Sequence, residues 1–302
     1  MTARWLVMLS AAIFGCDSQS AAKLIDAAPL VDASICIPFG ACDWLDHYQR
    51  TIVGTLAGHH DILPGTRLAH RASVEERDAA RTYLIDELTA LGLTVSRHEY
   101  GTGANVVAML PSTTGTGDLV VMGAHFDSVP AGPGAADNAT GVAIVLAAAR
   151  YLRDLPVRQH PVAFVLFDEE EIGLIGSKAY AAALMSAATP VAAVHNFDML
   201  SFDGDGDRAV ELWSPAPELA TLYEQHGAAG GMPIQSVVFK YSDHQAFIEA
   251  GFVALGVGEE FVADDHTPHY HKATDTYEQV SFPYLAEVTH LALAVVEDQL
   301  TP

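Results

Sequence analysis

The chain places His125-Phe126-Asp127 shortly ahead of Asp137-Asn138, with Glu170-Glu171 further on. Two later fragments carry the same residue types, Asn196-Phe197-Asp198 and His271-Lys272-Ala273-Thr274-Asp275. Imidazole nitrogen and carboxylate oxygen hold borderline divalent cations. A pair of such cations also needs one carboxylate able to bridge and another left free as a base. Each early fragment sits where an apolar run ends, the place at which an α/β fold presents its ligands. The set is that of a metal-dependent hydrolase.

The elements that must position these groups can be read from periodicity. Ser73-Val74-Glu75-Glu76 is a capping box, and Ala79, Tyr83, Leu84 and Leu88 follow at helical spacing until Gly92. Residues 105–110 and 119–124 read as strands joined by a turn-rich segment from Pro111 to Gly117. An alanine-rich helix is expected over 142–155. Val162 to Phe167 is a continuous apolar run ending in four acids, as for a buried strand whose C-terminal end meets a site. A helix over 176–188, a strand over 191–197 and a terminal helix over 284–299 complete the alternation. It predicts a three-layer α/β/α sandwich with a mixed, mostly parallel central sheet.

Taken singly, the chemical fragments have plain structural readings. His125 and Asp127 could be a surface pair, although a carboxylate beside a ligating His also fixes its tautomer. Asp137 could cap the helix that follows it. Glu170 and Glu171 could belong to a solvated acidic turn, but adjacent residues project differently, which suits one metal-binding acid beside one proton-handling acid. Asp203-Gly204-Asp205-Gly206-Asp207 lacks the Gly and Glu positions of a calcium loop and reads as an acidic turn.

In order, GAHFDS, ADN, DEEEIGLIGS, NFDM and HKATDT resemble the co-catalytic dinuclear zinc aminopeptidase family, related to glutaminyl cyclases and glutamate carboxypeptidase. The resemblance covers roughly residues 60–290. It implies that His125 and Asp198 bind one zinc, that Glu171 and His271 bind the other, and that Asp137 bridges them, often with a cis peptide after it. Glu170 would be the general base, and Asp127 would support His125. His244, in Tyr241-Ser242-Asp243-His244, is a candidate oxyanion contact, with helix capping by Ser242 or Asp243 as the other reading of that stretch. The implied cofactors are two Zn2+ per chain, with Co2+ or Mn2+ as substitutes. The implied substrates are peptides with a free N-terminus.

Glutaminyl cyclisation is the alternative enzyme reading. Asn138 and the uninterrupted Glu170-Glu171-Ile172-Gly173-Leu174-Ile175-Gly176-Ser177 favour the peptidase. Carboxypeptidase activity is a weaker rival, because no Arg near these motifs would hold a substrate carboxylate. A non-catalytic binding lipoprotein is the third reading, and such proteins lose ligands that this chain keeps.

With 15 Lys and Arg against 38 Asp and Glu, the formal charge of −23 argues against nucleic acid and against a polybasic membrane patch. Arg4 and the apolar Trp5–Phe14 run read as an export signal over 1–15, followed by a tether over 16–40 and a catalytic domain over 41–302. Ile13-Phe14-Gly15-Cys16 resembles a bacterial lipobox. Lipidation of Cys16 would then be the sole membrane attachment of an exported protein, with simple cleavage nearby as the alternative. Cys36 and Cys42 remain as an even pair that a disulfide would join.

Overall fold

The computed structural model describes residues 44–115 and 117–301. The expected export signal, the tether, Cys16 and the Cys36–Cys42 pair lie outside those residues.

The sheet contains β1 (Thr94–Tyr100), β2 (Gly103–Leu110), β3 (Leu119–His125), β4 (Val162–Phe167), β5 (Val191–Phe197), β6 (Val210–Trp213), β7 (Ile234–Val237) and β8 (Ala254–Gly258). Their order is β1-β2-β4-β3-β5-β8-β6-β7. The central strands β4, β3, β5 and β8 run parallel to one another. Antiparallel pairings bring in β1 and β2 on one side and β6 on the other, and β7 pairs parallel to β6.

All residues of β3 and β4 are buried. Covered on both faces, such strands must read as continuous apolar runs, and this is why their sequences mark them clearly. β2 and β3 are consecutive in sequence, yet β4 lies between them. β2 instead closes a hairpin with β1, whose sequence TVSRHEY is largely polar because it forms the sheet edge.

Helices cover both faces. One apolar core holds α1 (Leu45–Leu56), α2 (Val74–Ala90), α3 (Thr140–Leu152), α5 (Pro217–Gly230) and α7 (Phe282–Leu300) against the sheet. A second core holds α4 (Ile175–Ser186) and α6 (His244–Glu249) on the opposite face. Every residue of α3 except Arg150 is buried. A helix apolar all round must be enclosed on all sides, here by the sheet, α1 and α7. The α2 cap is half of the expected box. The Ser73 hydroxyl accepts the Glu76 N–H at 3.2 Å. The Glu76 carboxylate turns outward to accept from the Ser73 hydroxyl and the Ala69 N–H, both at 3.0 Å.

Candidate metal centre and active site

Three neighbouring parallel strands deliver the expected donors. His125 ends β3, Asp168–Glu171 follow β4, and Asp198 follows β5. The crossover through α3 leaves on one face and the crossover through α4 on the other. The strand ends therefore open into the crevice typical of such a reversal. Asp137 comes from the turn Ala135–Ala139 that leads into α3, and the Asp137–Asn138 peptide is cis.

The Asp137 carboxylate stands between two imidazoles. Its Oδ1 is 3.2 Å from His125 Nε2, and its Oδ2 is 3.1 Å from His271 Nε2. His125 Nε2 is also 3.3 Å from Asp198 Oδ1, and His271 Nε2 is 3.1 Å from Glu171 Oε2. Nitrogen and oxygen donors of His125, Glu170 and Asp198 lie within 4.8 Å of one another, as do those of His125, Asp137 and Glu171.

The surrounding chain fixes these groups through hydrogen bonds. Asp127 accepts the amides of Glu170 and Glu171 at 3.1 and 3.2 Å, with its Oδ1 3.4 Å from His125 Nδ1. Asp275 accepts the amides of Ala136 and Asp137 at 2.7 and 3.2 Å. Asn138 donates to the Phe197 carbonyl and accepts from Gly141, joining the Asp137 turn to the end of β5. The Ser242 hydroxyl donates to Asp198 Oδ2 at 2.7 Å. A Cβ on Gly132 would lie 2.1 Å from the Lys272 carbonyl oxygen, so glycine lets the Asp137 loop meet the His271 loop.

On the side away from the cleft, Arg77 and Arg81 of α2 pair with the fully buried Asp168 carboxylate, and Arg77 also reaches Glu169 at 2.9 Å. Arg71, wholly buried, donates to the carbonyls of Leu56, Phe126, Pro133 and Gly134. It ties the end of β3 to the loop before Asp137.

Negative charge is in excess at the centre. Burial pushes Glu170 well above the ordinary range. The charge of His125 opposes this, and Asp243, Asp198 and Glu171 add to it. Burial, with Asp137 nearby, likewise raises Glu171 to about 7. Burial also acts to raise Asp137, but hydrogen bonds and charge from His125 and His271 outweigh it and hold that carboxyl well below its usual range. Hydrogen bonds to Asp137 and Glu171 lift His271 to about 10. Asp198 Oδ1 is buried, with His125 Nε2 beside it at 3.3 Å. A buried carboxylate against one imidazole, a second carboxylate shared by two imidazoles and a surplus of acids all fit divalent cations at this position.

Asp137, Glu170, Glu171, Asp198 and His271 line a cleft of about 350 Å³, with walls that include Trp213, Phe239, Tyr241, Phe261 and Tyr270. His244, expected at an oxyanion, is wholly buried and is not among the residues lining this cleft. Its Nε2 donates to the Phe239 carbonyl at 2.9 Å, and its Nδ1 packs closely over Gly256. The ring therefore supports the Phe239–Tyr241 segment from behind. The acidic run 203–207 is a turn: Asp205 accepts the Asp207 amide, and Asp265 accepts those of Gly204 and Asp205.

Residues 105–296 match the model of Peptidase family M28. The probable lipoprotein aminopeptidase LpqL of Mycobacterium tuberculosis is 34% identical, over 77% of this chain and 51% of that protein. The chain spans about half the length of the curated relatives it matches. Among solved structures, Legionella pneumophila LapA superposes with a TM-score of 0.76 at 19% identity, covering 86% of this chain and 74% of that one. BSAP, a zinc aminopeptidase from Bacillus subtilis, gives 0.62 at 25% identity, over 66% and 50% of the two chains. Porphyromonas gingivalis glutaminyl cyclase gives 0.68 at 19% identity, over 84% and 98%.

Proposed function

The chain belongs to Peptidase family M28, and from that premise we propose that it is a metal-dependent aminopeptidase that removes N-terminal residues from peptides. The observation that carries the reading is the Asp137 carboxylate, with one oxygen toward His125 and the other toward His271. Two Zn2+ ions would be held by His125 with Asp198 and by His271 with Glu171, Asp137 serving both. Bound there, they would supply Lewis-acid polarisation of the scissile carbonyl and a water acidic enough to attack near neutrality.

The chain's own groups do the rest. Glu170 takes the proton of the attacking water and returns it to the leaving amine, a role that its place in the cleft beside His125 and Asp198 supports. Asp127 holds the backbone beneath Glu170 and Glu171, and so fixes where that carboxylate stands. The acidic floor favours a substrate whose amino group is free, and the aromatic walls favour an apolar first side chain.

The test is hydrolysis of Leu-p-nitroanilide beside its N-acetyl derivative, with and without a chelator. Chelator-sensitive release from the free amine alone is expected. Absence of release, with cyclisation of a glutaminyl peptide in its place, would move the chain to the cyclase reading, whose fold it shares.

We further propose export, with anchoring through a lipid on Cys16. The word lipoprotein in the name of the Mycobacterium tuberculosis relative supports this. Mass spectrometry of membrane-extracted protein should find a diacylglyceryl group on Cys16, and a protein cleaved elsewhere would refute it. Among the described residues no helix is long and apolar enough to cross a membrane.

A further inference from the structure

Lysine is scarce in this chain: the sequence holds Lys23, Lys178, Lys240 and Lys272. Two of the three that fall in described segments line one cleft. These are Lys178 and Lys240, while the Lys272 ammonium donates to the Pro268 carbonyl at 2.7 Å. In a chain of net charge −23 this sets two cations at the rim of a cleft whose floor is acidic.

Neither lining lysine is explained by the fold. Lys178 lies in the first turn of α4, where a cation opposes the helix dipole, and its ammonium donates only to the Gly173 carbonyl, at 3.0 Å. Lys240 sits between β7 and α6, and its ammonium makes no ion pair or hydrogen bond among the described residues. Its backbone is nevertheless well placed. The preceding Phe239 exchanges bonds with the Ser214 hydroxyl at 2.8 and 3.2 Å and accepts from His244 at 2.9 Å. The flanking Val238 and Tyr241 are 79% and 82% exposed. The segment is thus an anchored lip that presents one unpaired cation beside the cleft.

A peptide substrate offers two kinds of anion to such a cation, its C-terminal carboxylate and an acidic side chain. The cleft volume, about 350 Å³, is at the small end for ligand sites, which favours short peptides. We propose that this cleft selects peptides bearing a carboxylate beyond the scissile bond, received by Lys240 and Lys178. The inference rests on the aminopeptidase reading and narrows its substrates to short peptides with a free C-terminus or an acidic second residue.

The test compares kcat/KM of the zinc-loaded full chain for Leu-Phe, Leu-Phe amide, Leu-Glu amide and Leu-p-nitroanilide. Leu-Phe should exceed its amide by about tenfold, mostly through KM, as charge-assisted pairing predicts. Lys240→Gln and Lys178→Gln should each bring that ratio toward one. Leu-Glu amide handled like Leu-Phe would identify an acidic side chain as an accepted source of the carboxylate. Leu-Glu amide handled like Leu-Phe amide would restrict the source to the C-terminus. Equal turnover of Leu-Phe and both amides, or a preference untouched by both substitutions, overturns the inference while leaving the aminopeptidase reading in place. Failure to hydrolyse any of the four, Leu-p-nitroanilide included, would overturn both.

Discussion

The carboxylate of Asp127 accepts the backbone N–H of Glu170 at 3.1 Å and, with its other oxygen, that of Glu171 at 3.2 Å. The end of β3 thereby holds the loop after β4, while His125 lies against the same carboxylate. Asp127→Asn keeps the shape but replaces one acceptor by a donor that faces an N–H. Metal affinity or kcat should fall by about 10- to 100-fold, the usual cost of losing a supporting group, with the fold retained. Competition against a chelator, together with separate kcat and KM values, checks this. Unchanged values on both counts would remove Asp127 from the positioning of the site.

Glu170→Gln separates proton transfer from metal binding. The amide cannot take a proton, so kcat should drop by about 10²- to 10⁴-fold, while the metal content stays at that of the parent chain. Equal turnover by the variant would take the general-base role away from Glu170.

His195 gives a pH prediction away from the metal centre. The ring is fully buried, Nε2 meets Gln299 Oε1 at 2.9 Å, and Nδ1 meets the Tyr223 hydroxyl at 3.2 Å. Burial pulls its pKa down from 6.5 to about 4, against the hydrogen bond to Gln299. Below pH 6.5 the unfolded chain takes up a proton that the native ring refuses, so stability falls as pH drops from 6.5 to 4. This group's share of the loss is about 3 kcal/mol at most. Denaturant titrations at several pH values should show a shallower acid slope for His195→Gln than for the parent chain. Parallel slopes would contradict this assignment.

What the sequence revealed follows from where the information resides. β3, β4 and β5 are buried between helical layers, so their apolar runs stand out, and the chemical residues sit directly at their ends. The edge strand β1 and the four-residue β6 and β7 carry no comparable run. Arg71 was invisible because it acts on four backbone carbonyls from distant segments, which leave no side-chain pattern. Ser242 reaches Asp198 only through tertiary approach, although its sequence context suggested a helix cap. The aromatic wall assembles Trp213 from the end of β6 with Phe239, Phe261 and Tyr270 from separate loops. His244 lay in a stretch matched to the substrate side, yet the space left by Gly256 draws its ring inward.

The proposed aminopeptidase depends on a two-metal site held together by one bridging carboxylate. The most direct measurement is bound zinc per chain for the full chain and for Asp137→Ala, read alongside chelator-sensitive release of p-nitroaniline from Leu-p-nitroanilide. About two zinc ions per chain are expected, with activity lost on chelation and restored on zinc addition. In Asp137→Ala both ions and the activity should be lost together. A single tightly held zinc in the parent chain, or a variant that sheds one ion and keeps the other at full affinity, would contradict it.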